Sequence, residues 1–200
     1  MFIESAAFAK SSEFLDQCPE TGFAEIAFIG RSNVGKSSLI NMLVDKRSLA
    51  KTSGTPGKTR LINHFIINEK KAPWYIVDLP GYGYAKISLS ERAKWKKMIR
   101  TYLEERETLR CTMMLVDVRI EPQKIDLEFA KYMGEKGIPF AILFTKADRQ
   151  KPAMIEKHVN AFLERLSEYF AEMPNVFLTS AEHRAGKEQL HGFMQSLIEA

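Results

Sequence analysis

Gly30-Arg31-Ser32-Asn33-Val34-Gly35-Lys36-Ser37 follows a short apolar run at 24–29 and opens a helical pattern at Lys36. The spacing G-x-x-x-x-G-K-S, set between a strand and a helix, is that of a loop built to wrap a polyphosphate. Gly30 and Gly35 permit the tight turn that aims backbone N–H groups at phosphate oxygens. Lys36 brings a point charge to the β and γ oxygens, and Ser37 a hydroxyl to Mg2+. The amino end of the helix adds a favourable dipole.

A phosphate cradle does not choose the base. Thr145-Lys146-Ala147-Asp148 ends another apolar run, at the position where α/β sheets place ligands. A carboxylate at Asp148 can accept from guanine N1–H and the 2-amino group together. Adenine offers no such donor pair and would leave a buried charge unpartnered, a mismatch worth roughly 10⁴-fold in discrimination. The Lys146 stem would lie along the base, and Ser180-Ala181, just past the last strand, would offer a backbone N–H to guanine O6. Asp78-Leu79-Pro80-Gly81 applies the same logic at the phosphate end: a strand-terminal carboxylate for Mg2+, acting through water, then a glycine N–H for the γ-phosphate. Thr52, Thr55 and Thr59 could each bring a second hydroxyl to the metal, and residue types alone do not choose among them.

These groups need a scaffold that brings several strand ends together. Runs at 61–68 and 74–78 flank Glu69-Lys70-Lys71-Ala72-Pro73 and read as a hairpin, the one antiparallel pair. Runs at 113–118, 140–145 and 176–179 read as strands. Helical patterns fall at 90–107, 123–136, 152–172 and from 187 onward. Near-continuous apolar strands alternating with helices predict an α/β fold: a mostly parallel six-stranded sheet with one antiparallel strand and helices on both faces. Residues 1–23 read as an irregular extension packed on a domain spanning 24–200.

The chain has 200 residues, which allows about one domain. A composition that is 45% apolar excludes disorder as the main state. The longest apolar runs, such as 138–144, fall far short of the ~20 residues that cross a bilayer, and the start lacks a basic, apolar leader pattern. Cys18 and Cys111 are too few for a disulfide framework and lack zinc spacing, so a reducing cytoplasm is expected. Net charge is +4, but residues 45–110 hold 15 Lys or Arg against seven Asp or Glu, a net +8 that leaves −4 elsewhere. A one-sided excess of this kind attracts a polyanion such as RNA; the alternative is a solvated helix face with no partner. Trp95, among the basic residues after the second loop, could stack on RNA, although burial against the sheet is favoured. The four histidines are scattered and read as surface or packing residues, and Met98, Met113 and Met114 as core.

Gly30-Arg-Ser-Asn-Val-Gly-Lys-Ser-Ser-Leu-Ile-Asn41, Thr55-Pro-Gly-Lys-Thr59, Asp78-Leu-Pro-Gly-Tyr-Gly83, Thr145-Lys-Ala-Asp148 and Thr179-Ser-Ala181 together resemble the EngB (YihA/YsxC) family of bacterial GTPases, within the TrmE-Era-EngA-EngB superfamily. The resemblance runs from about Ile3 to the end. It implies a Ras-like G domain, slow Mg2+-dependent GTP hydrolysis, a role in assembling the large ribosomal subunit, and a link to cell division and septum formation. It selects Thr59 as the metal threonine, beside Ser37 and Asp78. It also implies a GTP/GDP site made of Gly30, Arg31, Ser32, Asn33, Val34, Gly35, Lys36, Ser37, Gly57, Lys58, Thr59, Arg60, Leu61, Asp78, Leu79, Pro80, Gly81, Thr145, Lys146, Ala147, Asp148, Thr179, Ser180 and Ala181.

Within that set, Lys36, Asn33, Thr59 and Gly81 are the residues expected to act in hydrolysis. Many G proteins orient the attacking water with a Gln after Asp-x-x-Gly; here that position is Tyr82, so intrinsic turnover should be slow. Asn33 matches the position that binds a monovalent cation in potassium-activated relatives, which implies K+ stimulation; the alternative is that it only stiffens the loop. The partners expected are the large subunit or its rRNA through the 45–110 surface, with the chain acting as a monomer. The rival reading is a GTP-controlled protein contact at the division machinery without RNA.

Overall fold

A computed structural model describes residues 2–51, 61–82 and 89–199. Seven strands form one sheet in the order β1-β3-β4-β2-β5-β6-β7. They are β1 (Ala6–Ser12), β2 (Glu25–Gly30), β3 (Ile62–Ile67), β4 (Trp74–Asp78), β5 (Leu109–Asp117), β6 (Phe140–Thr145) and β7 (Asn175–Leu178). The helices are α1 (Lys36–Leu43), α2 (Leu89–Glu105), α3 (Lys124–Glu135), α4 (Pro152–Ser167) and α5 (Lys187–Glu199). The α/β class, the mostly parallel sheet and the 61–78 hairpin are as the sequence predicts.

Among the described residues the strands number seven rather than six. The extra strand comes from the segment read as irregular: β1 pairs antiparallel with β3, from Ala6 opposite Ile67 to Ser12 opposite Ile62. Because β3 also pairs antiparallel with β4, it is the one strand running against the rest, and it makes two antiparallel pairings instead of one. Ala-Ala-Phe-Ala-Lys-Ser-Ser has little β-branched content, and its five middle residues are exposed, so no apolar alternation marks it as a strand.

Both faces of the sheet are covered, which is why its central strands carry no polar alternation. Ile26 and Phe28 of β2 join the core under α1 and α5, with Leu39, Leu43, Leu190 and Met194. Ala27 and Ile29 join the opposite core under α2, α3 and α4, with Tyr102, Met133, Phe162 and Leu166. Met98, Met113 and Met114 are core, as expected. Trp95 is only half-buried, and the sealed tryptophan is Trp74. From β2 the strand order departs toward β4 on one side and β5 on the other, which opens a crevice at its carboxyl end, where Gly30 leads into the phosphate-type loop.

Candidate nucleotide site

The loop between β2 and α1 has the local conformation its glycines predict. Gly35 has φ 106° and begins α1, a conformation closed to most side-chain-bearing residues. At Gly30 the limit is space: a Cβ would lie 2.9 Å from the Leu115 carbonyl oxygen and from a Val34 methyl. Lys36 and Ser37 follow on the first turn of α1. The Lys36 ammonium contacts the Asp78 carboxylate at the end of β4, and both side chains are nearly sealed. Burial pushes Lys36 down to about 7. The Ser32 hydroxyl is buried without a hydrogen-bond partner among the described residues.

The base-type motif is bonded directly to this loop. Thr145 Oγ1 donates to the Val34 carbonyl at 2.7 Å and lies 3.2 Å from that of Val116. Lys146 adopts a left-handed conformation, φ 61°. Its ammonium meets the Asn33 carbonyl and, at 2.8 Å, Asp117 Oδ2. Its Cε would be 3.6 Å from a Cβ at Gly35, so the lysine stem lies over the loop. Asp148 Oδ1 accepts from Ser180 Oγ at 2.6 Å, a bond that helps hold its carboxyl below the usual range. Thr179 is tied in by its N–H to the Phe144 carbonyl at 2.7 Å and by its carbonyl accepting from the Ala147 N–H at 3.1 Å. The Ser180 N–H is taken by the Ala185 carbonyl at 3.2 Å, so of Ser180-Ala181 only Ala181 is left to supply the amide suggested for O6.

Residues without a local motif hold the arrangement. Asp117, at the end of β5, accepts from Arg119 Nε at 2.9 Å, from the Arg119 N–H at 3.1 Å and from Lys146. Burial acts to raise its carboxyl, and these cations outweigh it, leaving it lowered. Asn41 clamps Ala50 through two bonds of 2.8 Å and so fixes the chain just ahead of 52–60. Asp45 receives Arg184 and, at 2.6 Å, Lys187, joining that same stretch to the loop after β7. Asp117 could have been found by asking which strands end in a carboxylate. The others depend on partners distant in sequence and leave no local signal.

Gly30, Arg31, Ser32, Asn33, Val34, Gly35, Lys36, Ser37, Asp78, Thr145, Lys146, Ala147 and Asp148 therefore share the carboxyl end of one sheet, with Thr179, Ser180 and Ala181 beside them. Leu79 continues the β2·β4 pairing by donating to the Phe28 carbonyl at 3.0 Å, followed by Pro80 and Gly81. Asn33 is exposed, and Leu61 is exposed at the entry to β3. Gly57, Lys58, Thr59 and Arg60, with the competing Thr52 and Thr55, lie outside the described residues, as does Gly83. The oxygen donors of Ser37 and Asp78 suit Mg2+. Among the described residues no group of three His, Cys, Asp or Glu side chains is placed to hold a metal ion.

A sequence model of the family described as 50S ribosome-binding GTPase matches residues 25–146. The probable GTP-binding protein EngB of Porphyromonas gingivalis is 51% identical over 197 residues, covering 98% of this chain and 96% of the relative. The chain belongs to the EngB family of GTP-binding proteins. The EngB protein of Christiangramia forsetii is 47% identical over 197 residues, covering 98% of both chains. A crystal structure of a probable GTP-binding protein engB superposes with TM-score 0.70 at 26% identity, covering 88% of this chain and 99% of that one. The chain is thus a GTPase with a P-loop nucleotide-binding domain. Among its described residues no helix is long and apolar enough to cross a membrane.

Proposed function

We propose that this GTPase assembles the large ribosomal subunit in the cytoplasm, and that its role in cell division and septum formation follows from that work. The observation that carries the nucleotide reading is the bonding of Thr145 and Lys146 to the Val34 and Asn33 carbonyls, which puts base-type and phosphate-type motifs within reach of one small molecule. On this reading Asp148 accepts from guanine, the Ala181 N–H meets O6, and the backbone of 30–37 wraps the phosphates. Lys36 leaves Asp78 for the β and γ oxygens, and the Gly81 N–H meets the γ-phosphate. Ser37, Thr59 and Asp78 hold Mg2+, which when bound offsets charge developing on the phosphoryl oxygens. Asn33, exposed on the loop, is the K+ candidate, and Tyr82 in place of a Gln keeps turnover slow.

The ribosomal partner is supported by the family's description and by charge. Lys94, Lys96, Lys97 and Arg100 are exposed on α2, the helix that follows the Asp78–Gly81 segment. A polyanion on that face would sense the nucleotide through the chain joining the two. Two buried free thiols, Cys18 and Cys111, suit a reducing cytoplasm. The proposal includes a chain that acts as a monomer, and the β1·β3 pairing supports reading 1–23 as an extension held by a 24–200 domain. The test is co-sedimentation with large subunits in GTP, GDP and a non-hydrolysable analogue across a salt series. Binding that requires GTP or its analogue and weakens with salt is expected. Nucleotide-dependent capture of division proteins with no subunit binding would favour the rival reading.

A further inference from the structure

Tyr82, directly after Asp78-Leu79-Pro80-Gly81, is tied down in three ways. Its backbone forms a parallel bridge with Arg31 of the P-loop. Its hydroxyl donates to Asp126 Oδ1 at 2.8 Å. Its ring stacks on Phe129, one turn along α3, with centroids 4.4 Å apart and planes 20° apart. The same Asp126 carboxylate faces Arg31, whose Nη1 lies 3.8 Å from Oδ2. Asp126 thus reaches both phosphate-facing segments from a helix that carries no motif residue. Packing does not account for it: the ring stack alone would seat Tyr82, while a sealed carboxylate with one close side-chain donor among the described residues is costly.

We propose that Asp126 is a positioning residue for the GTPase cycle, latching Tyr82 and with it the Asp78–Gly81 segment onto α3, and that γ-phosphate binding works against this latch. The proposal rests on the reading of Gly81 as the γ-phosphate contact. Its direction follows from Asp78. In the latched arrangement the Asp78 carboxylate lies against the Lys36 ammonium, so the proposed metal ligand and phosphate ligand occupy each other. A triphosphate must part them and also draw on Gly81, one residue from the latched tyrosine. A diphosphate has no third phosphate to reach Gly81. The latch therefore lowers GTP affinity more than GDP affinity.

The test compares the affinities of the full chain for fluorescent GDP and a fluorescent non-hydrolysable GTP analogue. Tyr82→Phe removes the hydroxyl and keeps the ring on Phe129, Asp126→Ala removes the acceptor, and Asp126→Asn keeps an oxygen that can accept. The GTP-analogue to GDP affinity ratio should rise roughly tenfold in Tyr82→Phe and Asp126→Ala, the scale of one charge-assisted hydrogen bond. It should rise no further in the double variant, and Asp126→Asn should stay within about threefold of the native chain. Simple structural damage would weaken both nucleotides together and leave the ratio unmoved. An unmoved ratio in both single variants, or a double variant equal to the product of the singles, overturns the latch. If Asp126→Ala does not fold, Tyr82→Phe and Asp126→Asn decide the matter. Gly81→Pro, which removes the N–H assigned to the γ-phosphate, separates the two readings. Loss of GTP preference there with silent latch variants sinks the latch alone, whereas an unchanged ratio in Gly81→Pro sinks the γ-phosphate assignment.

Discussion

Glu25 and Asp126 are almost equally sealed, at 0% and 2% exposure, yet their carboxyl groups are pushed in opposite directions. Glu25 opens β2 at the amino end of the parallel strands, away from the nucleotide site. It accepts from Arg106 Nε at 3.0 Å, from Arg106 Nη2 at 2.5 Å and from the Tyr102 hydroxyl. His64 Nε2 stands 3.6 Å away, an electrostatic neighbour rather than a hydrogen-bond donor. Burial would raise Glu25, but these surroundings hold it at about 2. Among the described residues Asp126 has one close side-chain donor and a distant guanidinium. Burial prevails there and pushes it up to about 6. At the amino end of the sheet buried charge is fully partnered and fixes α2 to β2. At the carboxyl end Asp126 is a carboxylate that burial works against, and Lys36 is a buried cation paired with Asp78.

The largest test of this contrast is Glu25→Ala. Loss of that carboxylate strands Arg106 in a half-closed pocket, so the unfolding free energy in urea should fall by about 3–5 kcal/mol. A loss under about 1 kcal/mol would mean that the cluster is not structural.

Acid titration gives the next effect. The Glu25 pKa is lowered on folding, so its stabilisation is fully present above its ordinary 4.5 and is lost as pH falls toward 2, about 3 kcal/mol in all. The Asp126 pKa is raised, so its sign is opposite: the folded chain holds that proton more tightly, and stability rises as pH falls from about 6 toward 3.8. Urea denaturation against pH should show both limbs, and Asp126→Asn should remove the rise between pH 6 and 4 while leaving the acid loss below it. A rise that survives the substitution would assign it to another group.

The smallest effect is that of Asp126→Asn itself at pH 8. Removing a sealed charge while keeping an acceptor for Tyr82 should leave stability unchanged or raise it by about 1 kcal/mol. A clear loss would place Asp126 with Glu25 as a structural anchor.

Legibility in the sequence follows the same division. Wherever a function depends on consecutive residues, as in the 30–37 loop or Thr145-Lys146-Ala147-Asp148, pattern and local geometry agree. Strands buried on both faces, such as β6, are legible as unbroken apolar runs. The strand β1 was not, because an exposed edge strand needs no apolar alternation and is held by its pairing to β3. Asp126 with Tyr82 and Arg31, and Glu25 with Arg106, join residues 44 to 95 positions apart, and nothing local marks one as the other's partner. Arg119 gave no sign of its role until Asp117 and Lys146 stood beside it. His64, read with the other histidines as surface or packing, lies fully buried beside Tyr75 and Tyr102.

We propose that Asp148 reads the base of a nucleotide whose phosphates lie in the 30–37 loop, and exchanging that carboxylate for an amide tests this. Titration of native and Asp148→Asn chains with GTP and xanthosine triphosphate should show GTP affinity falling by about 10²-fold or more as xanthosine triphosphate affinity rises. Undiminished GTP affinity in the folded Asp148→Asn chain would contradict the account.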